Sequence, residues 1–151
     1  MKKLSTTRRS MIARSMALLG AGAVAAQAGA ATTATAGGPY KAVFQVSDAD
    51  PKKWALTLNN VRNLQEALGA SNVSVEIVAY GPGIGMLKAD SEMGKRVLEA
   101  LQAQVAVMAC ENTMRGQHLA HGDMLGKIGY VPSGVAELVK RQAEGYAYIR
   151  A

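Results

Sequence analysis

The chain has 151 residues, 49% of them apolar and 19% charged, with a formal net charge of +6 and one cysteine. Five of the 17 basic residues and none of the 11 acidic ones fall within residues 1–30, which leaves 12 against 11 and a net charge of +1 beyond them. The basic character therefore belongs to the leader and gives no support for nucleic-acid binding. The lone cysteine excludes an internal disulfide.

Residues 1–30 read as an export signal. Lys2, Lys3, Arg8, Arg9 and Arg14 form a basic n-region, Met16 to Ala26 a weakly apolar stretch, and Ala28-Gly29-Ala30 a small-residue cleavage site. The apolar stretch is too short to span a bilayer, so no membrane insertion is expected after cleavage. Thr7-Arg8-Arg9-Ser10-Met11-Ile12 fits a twin-arginine signal, with an ordinary secretory signal as the alternative. Export to the periplasm is the expectation in both cases. Ala31 to Gly38 is rich in Thr, Ala and Gly, so 31–39 is expected to be a flexible tether. Residues 40–151 are enough for one ordinary core.

That domain alternates strand-like and helix-like segments. Lys41 to Val46 suits a buried strand, and Asp50-Pro51 reads as an N-cap followed by proline at the first helical position. Trp54, Leu58, Val61, Leu64 and Leu68 follow at helical spacing as far as Gly69. Val73 to Tyr80 predicts a second strand, broken by Gly81-Pro82-Gly83. Asp90 or Ser91 is expected to cap a helix with Met93, Val97 and Leu101 on its face.

Val105 to Ala109 predicts a third strand, covered on both faces, and Asn112 to about Leu119 a helix. Lys127 to Val131 predicts a fourth strand. Ser133 should cap a helix carrying Val135, Leu138 and Val139 as far as Gly145, and Tyr146 to Arg150 a fifth strand. Strands separated by helices of this length imply a three-layer α/β/α sandwich around a mostly parallel five-stranded sheet.

Cys110 falls at the end of the third strand, where ligands and chemistry collect in open α/β sheets. Helix N-terminal amides, with the backbone donors of Asn112 and Thr113, would stabilise a thiolate or a persulfide. Arg115 and His118 are near enough in sequence to add positive charge, and Glu111 opposes it. The alternative is that Cys110 is a small buried hydrophobe. Gly81-Pro82-Gly83 matches no nucleotide-binding spacing and reads as a turn that walls the cysteine's pocket. Asn60 and Asn63 are candidates for hydrogen bonds to loops or a partner subunit. A second constellation, Cys110, Met114, His118, His121 and Met124, offers soft ligands suited to Cu(I) or zinc, with the first three on one helix face if the helix runs that far. It fits no established zinc spacing, so no metal and no cofactor is expected.

Four segments carry a family resemblance: Leu58-Asn59-Asn60-Val61-Arg62-Asn63-Leu64, Tyr80-Gly81-Pro82-Gly83, Ala109-Cys110-Glu111-Asn112-Thr113-Met114, and Val131 to Leu138 running on to Gln142 to Ile149. In this order they resemble the DsrE/DsrF-like family of small sulfur-relay proteins, over roughly Lys41 to Arg150. The resemblance implies a flavodoxin-related sandwich, homo-oligomers, and a cysteine, matched here by Cys110, that carries sulfur as a persulfide. The expected function is thus a periplasmic sulfur relay with a sulfur donor or acceptor protein as partner. The rivals are a periplasmic copper or zinc protein and a non-catalytic oligomeric binding module. The apolar content from Lys127 to Ile149 also points to a homo-oligomer.

Overall fold

The computed structural model describes residues 39–151; the expected export signal and the expected tether as far as Gly38 lie outside the described residues. Strand β1 runs Tyr40–Val46. Helix α1, Pro51–Leu68, starts where the Asp50 side chain accepts the Lys52 amide, with proline filling a position whose N–H would have no helical partner. Strand β2 is Val73–Ala79, and helix α2 is Gly94–Gln102. Strand β3, Ala106–Cys110, leads directly into the short helix α3, Glu111–Gly116. Strand β4, Gly129–Val131, helix α4, Gly134–Ala143, and strand β5, Ala147–Arg150, complete the domain.

Several boundaries differ from the sequence expectation for local reasons. Gly81 to Leu87 winds into 3-10 turns. Gly83 packs so closely on the end of β1 that a Cβ there would collide with the Val46 carbonyl. Helix α2 has no side-chain cap, because Ser91 accepts the Met93 amide and turns the chain before the helix begins. Lys127, at φ 68°, cannot continue a strand, so β4 starts at Gly129. The Tyr146 amide still bonds the Arg141 carbonyl, which delays β5 to Ala147.

The five strands are ordered β4-β3-β2-β1-β5, and every neighbouring pair is parallel. Three successive connections step in one direction, and the last returns past β1. With right-handed crossovers, the reversal sends α4 to the opposite face from α1 and α2. The packing agrees. Phe44, Ile77 and Val107 point into a core with Trp54, Leu58 and Val61 of α1 and Val97 of α2. The alternate positions Val43 and Val78 pack against Leu138 of α4. Among the described residues no helix is long and apolar enough to cross a membrane.

Candidate functional site

Register brings the functional residues to one edge. Val46, Ala79 and Ala109 are aligned across β1, β2 and β3, so Tyr80 and Cys110 leave the sheet at its carboxyl end together. Met114 of α3 packs into the α1–α2 core, whereas the chain after β4 enters α4 on the other face. Adjacent strands whose connections depart to opposite faces open a crevice, and Cys110 sits in that crevice opposite Val131.

Cys110 is buried, at 4% exposure. Its Sγ accepts the Gly134 amide at 3.2 Å, from the first turn of α4. The Thr113 hydroxyl and the amides of Thr113 and Asn112 also draw the thiol's pKa down, although the Asn112 amide is shared with the Pro132 carbonyl, which it bonds at 3.2 Å. Thr113 is oriented for this role, since its Oγ1 already accepts the Gly81 amide at 2.9 Å and keeps its proton for the sulfur. Gln117 donates to the Gly81 carbonyl at 3.1 Å, which fixes the same glycine through its next peptide group. Burial alone would raise the thiol's pKa, but these four donors outweigh it and hold the thiol below its ordinary value.

Gly134 is required by close approach. A Cβ there would lie 2.9 Å from Tyr80 Cβ, so the Tyr80 side chain is stacked against bare backbone. Burial raises the Tyr80 hydroxyl above its ordinary pKa, although Arg150 and a hydrogen bond to Ser47 oppose the shift.

The remaining sequence candidates divide clearly. Asn112 and Thr113 reach the sulfur; Gly81 reaches it only through Thr113; Gly83 faces Val46, and Pro82 is exposed. Arg115 is tied to the Asn112 side chain. Helix α3 ends before His118, which has φ 55° and is exposed, so Cys110, Met114 and His118 do not share a helix face. His121 stacks on Tyr130 with ring centroids 3.9 Å apart and lies 3.6 Å from Glu111. Met114 and Met124 are buried in the α1–α2 core. The soft-ligand constellation is thus dispersed, and among the described residues no group of three or more His, Cys, Asp or Glu side chains is arranged to hold a metal ion. Asn59, rather than Asn60 or Asn63, makes the contact between helices, accepting from Arg96 at 2.7 Å. The groove of about 140 Å³ beside it lies on the face away from the thiol.

Sequence reasoning named Cys110, Asn112 and Thr113 but missed Gly134 and Tyr80. The signal for Gly134 was a glycine, a poor helix former, immediately after a serine N-cap.

A family model described as the DsrE/DsrF-like family matches residues 40–151. The chain belongs to the DsrE/DsrF-like family. This family is associated with sulfur relay. A solved structure of MTH1491, a protein of unknown function from Methanobacterium thermoautotrophicum, is 39% identical, with TM-score 0.71, over 74% of this chain and 99% of that one. BT1422 from Bacteroides thetaiotaomicron, also of unknown function, is 16% identical, with TM-score 0.58, over 74% of this DsrE/DsrF-like chain and 94% of its own. The ychN protein from E. coli is 12% identical, with TM-score 0.62, over 74% and 99%. The last two share the fold. No curated protein matches the sequence.

Proposed function

We propose that this DsrE/DsrF-like protein carries sulfane sulfur on Cys110. The observation that supports it most is the donor set around Sγ, which favours negative charge on this sulfur despite its burial. In loading, the Cys110 thiolate attacks the outer sulfur of a donor R–S–SH. The Cys110 S–S bond forms, the donor's S–S bond breaks, and its electron pair leaves on R–S⁻. In delivery, an acceptor thiolate attacks the outer sulfur of the Cys110 persulfide and becomes A–S–SH, while Cys110 Sγ leaves as thiolate. Neither step needs an oxidant. Thiols of lower pKa leave faster, so the donor set promotes delivery most directly. An exposure of 4% favours a donor whose sulfane sulfur is terminal and unhindered.

Intact-mass spectrometry after incubation with polysulfide tests this. The protein should gain mass in steps of one sulfur, reversibly with dithiothreitol, and Cys110→Ser should gain none. An unmodified wild-type protein overturns the reading.

Two properties of the carrier follow the same proposal. The basic n-region and small-residue cleavage site of residues 1–30 support periplasmic export; N-terminal sequencing of the periplasmic protein should begin near Ala31, and a full-length cytoplasmic chain contradicts it. Assembly as a homo-oligomer is supported by exposed apolar side chains, Val135 and Val139, one helical turn apart on α4 and 55% and 62% exposed, and Tyr148 of β5, 43% exposed. A monomer by light scattering at micromolar concentration contradicts it.

A further inference from the structure

Helix α4 rests on an unusual foundation. The positions it turns toward the sheet are Gly134, Glu137, Leu138 and Arg141, of which two are charged. Among the described residues, the apolar cluster that joins it to the sheet contains three buried side chains, Val43, Val78 and its own Leu138. The sheet meets the helix with Glu76, a carboxylate in the middle of β2 that is 2% exposed. Arg141 Nη2 reaches Glu76 Oε2 at 2.7 Å, Nη1 reaches Glu144 at 2.9 Å, and Nε lies 3.1 Å from Glu137. Lys140 lies 3.6 Å from Glu137, and the Tyr146 ring packs beneath the guanidinium at 5.4 Å. One guanidinium thus lies within ion-pair distance of three carboxylates from the sheet, the helix and its exit, although its buried Nε makes no hydrogen bond among the described residues.

The other end of the same helix supplies the Gly134 amide to Cys110 Sγ. Ten residues of helix form a rod of about 15 Å, stiff enough to transmit a tilt from one end to the other. A buried ion pair is a weak source of stability and a strong source of positional constraint when its geometry is fixed. Glu76 Oε1 is fully buried and has no hydrogen-bond partner among the described residues, a cost that packing alone does not explain.

We propose that Arg141 and Glu76 are positioning residues for Cys110, clamping the far end of α4 so that the Gly134 amide stays on the sulfur. This rests on Cys110 being the working thiol. The groups facing Glu76 are Arg141, Glu137 and Glu144; burial raises its carboxyl above the ordinary range more than Arg141 draws it down.

The test is the pKa of the single thiol, from thiolate absorbance and from the pH profile of alkylation, with sulfur uptake from polysulfide measured in parallel. Arg141→Met should raise the thiol pKa and slow alkylation below the wild-type pKa by about three- to tenfold, a shift of up to one unit. Glu76→Gln keeps an oxygen for Arg141 and should retain near wild-type reactivity, while Arg141→Lys, which cannot fork among three carboxylates, should fall between. If Arg141→Met does not fold, Glu76→Leu/Arg141→Met removes both buried charges and should show the same slowing. A folded Arg141→Met or double variant with the wild-type thiol pKa overturns the proposal. That result with sulfur uptake intact leaves the carrier function standing. A depressed wild-type thiol pKa without sulfur uptake refutes the carrier function and not the clamp.

Discussion

Among the described residues, twenty buried apolar side chains form one continuous core on the face covered by α1 and α2; on the face crossed by α4, three do. The first face holds Phe44, Ile77 and Leu87 with almost no exposure. The second holds a buried glutamate, a half-buried arginine network and the Gly134 amide that donates to the cysteine. Stability is concentrated where water is excluded by apolar packing, and the thiol's environment is built where it is not. A helix held loosely by hydrophobic contact can carry a finely placed amide only if something else fixes it. Here that is charge.

The largest expected effect breaks the first face alone. Phe44→Ala should cost about 3–5 kcal/mol in denaturant unfolding, while the folded fraction keeps the wild-type thiol pKa. A shifted thiol in that variant would mean that the faces are not separable. Leu138→Ala should cost less, about 2 kcal/mol, because its buried apolar cluster is small, but it should raise the thiol pKa by loosening α4. Equal thiol behaviour in the two variants contradicts the comparison.

Thr113→Val sharpens it further. The valine removes the hydroxyl donor to Cys110 and leaves the Gly81 amide without an acceptor, so stability should fall by about 1 kcal/mol while the thiol pKa rises toward that of a free thiol. Titration of thiolate absorbance checks the second effect.

The smallest effect concerns Glu76. Because its folded pKa is raised, its contribution to stability is full below the unfolded carboxyl pKa and is lost as pH rises through the folded value. Glu76→Gln should therefore flatten that part of the stability profile measured by denaturation from acid to neutral pH. An unchanged slope would place the titration elsewhere.

The difference between the faces also explains what the sequence showed. The apolar face announces itself by period: Trp54, Leu58 and Val61 in the helix, and Val73, Val75 and Ile77 in the strand, read correctly because burial selects apolar residues at regular spacing. The sheet came out all parallel where mostly parallel was expected. The α4 face has no such pattern. Val135 and Val139 look like an inner face in sequence yet point outward, because the inner positions are taken by Gly134, Glu137 and Arg141. Glu76, alone among Val75, Ile77 and Val78, was the available sign of a buried charge. Cys110 and Gly134 meet across 24 residues through the pairing of β3 with β4, a register that local pattern does not encode. His118 and His121 scatter because a left-handed residue ends α3.

The measurement that bears most directly on the account is the titration of the Cys110 thiol in the wild-type protein. The chain has one cysteine, so ultraviolet thiolate absorbance reports this sulfur alone. Hydrogen-bond donation outweighing burial predicts a pKa below the ordinary value of a free thiol. A value above that would make Cys110 a packing residue and contradict the assignment of the sulfur-carrying site.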